Sequence, residues 1–205
     1  MTHVTKSAIA AVLLAVTFAA CKRDRGGMAA GRIDTTNLQM RIPDSAPIRM
    51  APSADDWSAP RVVGFVTTAN DGTIQISKIA LVKATNPEVK SFAQSMVTEH
   101  ASLLTDFKHF ATKAGLALDT GAARTGDLAE DIREDVKELS EKPRGKDWDE
   151  DYMDDAVELH EKLVTFLQDA KQRVTDVDLR ASLDKARTKV DAHLSKAREL
   201  KTKID

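Results

Sequence analysis

From residue 179 to residue 204 the apolar positions fall at steps of four and three: Leu179, Leu183, Ala186, Val190, His193, Ala197, Leu200 and Ile204. That is a heptad seam, and a helix carrying one is stable only when other helices cover the seam. The end of the chain, starting near Asp176, therefore implies a helical bundle, and the same period runs back towards the N-terminus. A helix over about 147–173 carries Trp148, Tyr152, Ala156, His160, Leu163, Leu167 and Ala170 on one side. Another opens at "TNPEVK", with Asn86 as N-cap, Pro87 at the first helical position and Glu88 in the first turn. Its stripe runs through Val89, Phe92, Met96, His100, Leu103, Leu104 and Phe107, and Gly115 supplies the stop. A first helix over about 61–84 points Phe65, Ala69, Ile76, Ile79 and Ala80 inward, with "NDG" at 70–72 as its weak point.

Four long helices and one short one follow from this pattern. The short one, over about 127–141, turns Leu128, Ile132, Val136 and Leu139 to one side. Helices one and two form a hairpin across "TNP", and the last two form a hairpin across "VTDVD". Residues 115–147 are long enough to cross the length of the bundle between the hairpins. The expected fold class is all-α, a ferritin-like four-helix bundle of two hairpins joined by a long crossover that contains the short extra helix.

The bundle occupies 61–205. Before it, "MTHVTKSAIAAVLLAVTFAAC" has one Lys, an apolar run from Ala8 to Ala20 and then Cys21, the one cysteine of the chain. The run is too short to span a bilayer and reads as a signal peptide over 1–20. "FAAC" at 18–21 resembles a bacterial lipobox, which makes Cys21 a lipidated N-terminus; the alternative is ordinary cleavage near Ala20, leaving a free thiol. Residues 21–60 hold Pro43, Pro47, Pro52 and Pro60 without a helical or alternating period, as a disordered tether would. Met28, Met40 and Met50 lie in it; thioethers suit copper(I), but chance spacing in a linker accounts for them. The expected location is the cell envelope, facing the periplasm and anchored by lipid. Lys22 after the cysteine favours the outer membrane. A net charge of -2 and the lack of a basic cluster argue against a nucleic-acid partner.

Three histidines interrupt the apolar stripes: His100, His160 and His193. Each lies near the middle of its helix, so all three fall in central layers of the bundle. Burying an unpaired polar group costs a few kcal/mol, so each ring needs a partner. One reading has the rings bonding to one another, to Tyr152 or to Thr73 across the core. The other has three neutral imidazoles holding Zn, Cu or Fe, or facing a haem. Carboxylate-bridged di-iron bundles place a Glu three residues before each His; here those positions hold Val97, Val157 and Val190. Glu99 is next to His100 but projects about 100° away on a helix. The acidic run "DWDEDYMDD" reads as a solvated helix start, although it could hold a divalent cation weakly. No phosphate loop, C-x-x-C, H-E-x-x-H or G-x-S-x-G occurs.

"NPEVKSFAQSMVTEH", "WDEDYMDDAVELH" and "DAHLSKAREL" resemble the exported bacterial family known as domain of unknown function 4142, over about 65–200. The match runs through Asn86, Pro87, Val89, Lys90, Phe92, Ala93, Met96, Val97 and His100, then Asp149, Tyr152, Met153 and His160, then His193 and Leu194. The resemblance implies a ferritin-like bundle, often described as an outer-membrane protein, and no settled activity. Thr73 and Gln75 stand where the family usually has acids in its first helix, and the Pro common before the last His is absent. The expected function is a lipid-anchored helical bundle with a binding, structural or envelope-stress role and no enzymatic activity. The alternative is a metal- or haem-binding protein, redox-active or not, built on the three core histidines.

Overall fold

The computed structural model describes residues 56–204, and among them every regular element is an α-helix. The five are α1 (Ala59–Lys83), α2 (Pro87–Lys113), α3 (Ala123–Glu141), α4 (Lys146–Arg173) and α5 (Val177–Ile204). The expected signal peptide, Cys21, the three methionines and the tether up to residue 55 lie outside the described residues.

Contacts between helix ends give the directions. Phe65, early in α1, stacks on Phe166, late in α4, with centroids 3.7 Å apart. At the other end, the Thr85 backbone N–H donates to Asp149 Oδ1 at 2.9 Å. Glu88 at the start of α2 pairs with Lys203 at the end of α5, 3.5 Å away. So α1 and α4 are antiparallel, as are α2 and α5, and the two short connections make α1/α2 and α4/α5 antiparallel hairpins. Helix α2 then ends at the opposite end of the bundle from the start of α4. Helix α3 covers that distance alongside α1: Arg124 sits over the Trp57 ring, and the far end of α3 is held by Lys83 Nζ, which donates to the carbonyls of Leu139 at 3.0 Å and Lys142 at 2.7 Å. The all-helical architecture agrees with the expected fold class, and the order of connections is consistent with a ferritin-like bundle.

Local signals account for the ends. Asn86 Oδ1 accepts from the N–H of Glu88 at 2.8 Å and of Val89 at 3.4 Å, capping α2. Gly115, with φ 63°, closes it: Leu116 N–H bonds to Ala111 O and Gly115 N–H to Thr112 O, the paired bonds of a Schellman stop. Asp176 Oδ1 caps α5 through Leu179 N–H at 2.8 Å.

Helix α1 departs from expectation. It does not weaken at "NDG" but runs unbroken, and it is buried on nearly every side because α2, α3 and α4 all pack on it. At Gly72 the Ile132 side chain of α3 packs against the bare backbone: a Cβ there would stand 2.4 Å from Ile132 Cδ1. The glycine costs about 1 kcal/mol of helix propensity against Ala, and close packing of α3 offsets it. Helix α3 itself begins four residues before the expected start at 127.

The acidic start of α4 is used structurally. Asp149, 2 % exposed, accepts from the backbone N–H groups of Thr85 and Asn86 and from Thr85 Oγ1, tying the α1–α2 turn to α4. Glu150 pairs with Lys146, Asp151 with Lys142 and Asp154 with Lys201. These carboxylates have partners of their own and form no cation site together.

Candidate metal centre

The stripes that build the core also deliver three rings to one level. His100 follows Met96 by one turn on α2, His160 follows Ala156 on α4, and His193 lies between Val190 and Ala197 on α5; each occupies a position its stripe would otherwise give to an apolar side chain. The rings are 0, 1 and 6 % exposed. The fourth long helix contributes Asn70, 1 % exposed, to the same layer.

Each ring holds one nitrogen outward and one inward. His100 Nδ1 lies 2.9 Å from Asn70 Oδ1, His160 Nδ1 lies 2.6 Å from the Ala156 carbonyl, and His193 Nε2 lies 3.1 Å from Glu99 Oε2. The inward nitrogens are His100 Nε2, His160 Nε2 and His193 Nδ1. His100 Nε2 is 3.2 Å from each of the other two. One nitrogen of each ring lies within 4.8 Å of the other two, and among the described residues this is the group of ligating side chains so arranged.

The outward partners decide where the protons are. A backbone carbonyl only accepts, so His160 must donate from Nδ1. A carboxylate accepts, so His193 donates from Nε2. Asn70 Nδ2 donates to the Val66 carbonyl at 2.7 Å. That fixes the amide with Oδ1 towards His100, which must donate from Nδ1. Turning the amide over would set two oxygens, Asn70 Oδ1 and Val66 O, against each other. In the neutral form each ring spends its one N–H outward. Three lone pairs then face one another with no hydrogen between them, and the inward contacts at 3.2 Å cannot be hydrogen bonds among neutral rings.

A buried proton could bridge two of the rings, but burial opposes it. Burial lowers the His160 pKa to about 4, with the charge of His193 acting the same way and the Ala156 bond acting against it. Burial also holds His100 well below its usual value, helped by His160, His193 and Lys189. At neutral pH His100 and His160 are therefore uncharged. Nitrogens bound about 2.0–2.1 Å from a first-row ion stand roughly 3.3–3.6 Å apart at tetrahedral to trigonal angles. Two of the three separations, at 3.2 Å, are within a few tenths of an ångström of that, and the third is within 4.8 Å. The rings and their outward acceptors fit a metal ion. They do not fit a haem, because nitrogens this close leave no slot for a porphyrin plane.

Two expected partners are elsewhere. Tyr152 Oη is 3.1 Å from Ser77 Oγ, and Thr73 Oγ1 donates to the Ala69 carbonyl at 3.0 Å; neither bonds to a ring. The rings do approach one another, as one reading expected, and the partners that orient them are Asn70 and Glu99. Asn70 belongs to "NDG", read from sequence as a break in α1. Glu99 does project off the His100 face of its own helix, but α5 packs on that side and His193 meets the carboxylate there. The signal for Asn70 was its spacing: it lies one residue after Ala69 on a helix buried on nearly every side.

A family model described as a domain of unknown function, DUF4142, matches residues 45–200. The chain belongs to this family. No curated protein matches it. Among solved structures it is similar to "CopM in the Cu(II)-bound form", with a TM-score of 0.57 and 14 % identity, covering 72 % of this chain and 98 % of that one. At that identity the likeness shows a shared helical fold. No described helix is long and apolar enough to cross a membrane.

Proposed function

We propose that this DUF4142 member is a metal-binding protein that holds one transition-metal ion in the layer of His100, His160 and His193, with copper the first candidate. The observation that carries this reading is the ring geometry: three inward ring nitrogens within 4.8 Å of one another, each ring held by an outward contact to Asn70, Ala156 or Glu99. That pattern of a ligating imidazole donating its other N–H to a carbonyl or carboxylate is how metal-bound histidines are generally oriented. Neutral imidazoles suit copper, zinc and iron, and copper(II) heads the general affinity order among divalent first-row ions. The similarity in fold to a protein solved with Cu(II) supports the choice of copper. A bound ion would supply the positive charge that the three lone pairs converge on. The chain's own contribution is to present three inward ring nitrogens in a buried layer, with burial keeping His100 and His160 uncharged.

The test is stoichiometry. The full chain, purified without a polyhistidine tag, is titrated with Cu2+ and Zn2+ and assayed by elemental analysis. One ion per chain, lost in His160→Ala, is the expected result. A folded protein that binds neither ion overturns the reading.

We further propose that the bundle works in the cell envelope, tethered through a lipidated Cys21. The support is the apolar run ending in "FAAC" and the long Pro-containing segment after it. Labelled palmitate incorporated into the wild type and not into Cys21→Ser supports the anchor; equal labelling of neither protein removes it.

A further inference from the structure

His193 is the ring at the edge of the layer, 6 % exposed where the other two are at 0 and 1 %. Its outward partner also differs in kind. His100 and His160 donate to neutral oxygens of the interior, whereas His193 donates to the carboxylate of Glu99, whose side chain is 41 % exposed. Among the described residues no other carboxylate hydrogen-bonds to or ion-pairs with the three rings. Lys189, one turn before His193 on α5, holds its Nζ 3.9 Å from the same Glu99 oxygen.

The His193–Glu99 bond does two things at once. It places the ring proton on Nε2, leaving the lone pair on Nδ1. It also fixes the ring's flip, since a half-turn about the Cβ–Cγ bond exchanges Nδ1 with Cδ2 and Nε2 with Cε1. The flipped ring would point a C–H at His100 and lose Glu99. For His160 a backbone carbonyl of its own helix performs this service, and for His100 a buried amide does. His193 has only a side chain on a neighbouring helix. We propose that Glu99 is a positioning residue for the metal centre: it holds His193 with Nδ1 inward, supplies the counter-charge nearest the ion, and so sets the site's affinity. This rests on the metal-binding reading above. Lys189 lies where it competes for the carboxylate, so its removal strengthens the Glu99–His193 bond.

The prediction is graded. Loss of an orienting partner of this kind typically weakens metal binding by 10–100-fold. Glu99→Ala should fall in that range for Cu2+, measured on the full chain against a competing chelator. Glu99→Gln keeps an accepting oxygen and loses the charge, so it should fall between Glu99→Ala and wild type. Lys189→Ala should bind as tightly as wild type or tighter. Glu99 and Lys189 are both substantially exposed, so these variants keep the bundle, which helical circular dichroism checks. A readout on the metal-free protein is independent of loading. The His193 Nε2–H should appear as a protected 15N-coupled proton in wild type and Glu99→Gln, and should vanish by exchange with water in Glu99→Ala. A Glu99→Ala protein with unchanged copper affinity, or with the protected proton still present, overturns the proposal. If wild type binds no copper but its protected proton depends on Glu99, the metal reading fails and the positioning role stands. If copper binds without regard to Glu99, the reverse holds.

Discussion

Two buried polar layers lie in this bundle, about two turns apart along α4, and they solve the same problem differently. At Tyr152 and Ser77, two hydroxyls sit 3.1 Å apart, and either can donate while the other accepts. A proton lies between those two oxygens, so their contact is an ordinary hydrogen bond. At His100, His160 and His193 one nitrogen of each ring meets an oxygen acceptor outward, and the nitrogens left at the centre meet only one another. Burial is the same in both layers; the count of donors and acceptors is not. A polar layer held by its own hydrogen bond is packing, and one whose ring nitrogens converge with their outward partners already taken is a candidate for holding a cation.

The predictions test that contrast, beginning with the largest effect. His160→Ala should abolish copper binding, a loss of 100-fold or more in a chelator competition, whereas Tyr152→Phe should leave it unchanged. Equal loss in both would erase the distinction between the layers.

Next is pH dependence of the metal-free protein. The folded-state pKa of His160 is lowered to about 4 from an ordinary 6.5, and that of His100 is lowered too. Between about 4 and 6.5 the unfolded chain therefore binds protons that the folded chain refuses, so stability falls as pH falls through that window. His160 alone accounts for on the order of 3 kcal/mol. Asp155 opposes this. Burial, then Asp135, Glu138, Asp151 and Glu158, raise its carboxyl to about 7, so it takes up a proton on folding and favours the folded state as pH drops. Its partial exposure discounts that contribution. Chemical denaturation at pH 7.5 and pH 5 should show the loss, steeper in Asp155→Asn. Stability that rises on acidification in Asp155→Asn would contradict the assignment of neutral rings.

The smaller effects separate the layers by stability without metal. Tyr152→Phe leaves the Ser77 hydroxyl buried without its partner and should cost about 1–3 kcal/mol. His160→Leu removes one of three facing lone pairs and fills the space with apolar atoms; the Ala156 carbonyl stays inside α4. Such replacements are often neutral or stabilising, so its metal-free melting temperature should equal or exceed that of wild type. A large drop in His160→Leu would mean that the ring is structural like Tyr152.

Much of this was legible in the sequence. The heptad seam on α5, the Asn86-Pro87 cap and the Gly115 stop are local signals, and the helices begin and end close to where they indicate. The convergence of His100, His160 and His193 was legible as three interruptions at similar heights. Asn70 and Gly72 were not, because a helix with Asn and Gly in its middle looks broken unless one knows that α3 needs the bare backbone and His100 needs the amide. Glu99 was hidden for a related reason: periodicity relates a residue to its own helix, and Glu99 acts on the next. Tyr152 and Thr73 were drawn towards the histidines by residue type, when their distance along the helices sets them in other layers.

The central claim is that the three inward nitrogens carry no proton before metal arrives. Calorimetric titration with Cu2+ at pH 7.5, repeated in buffers of different ionisation enthalpy, counts the protons released per ion bound. The account predicts one ion per chain and essentially none released. Release of about one proton per ion would show that the rings share a buried proton in the metal-free state, and would contradict it.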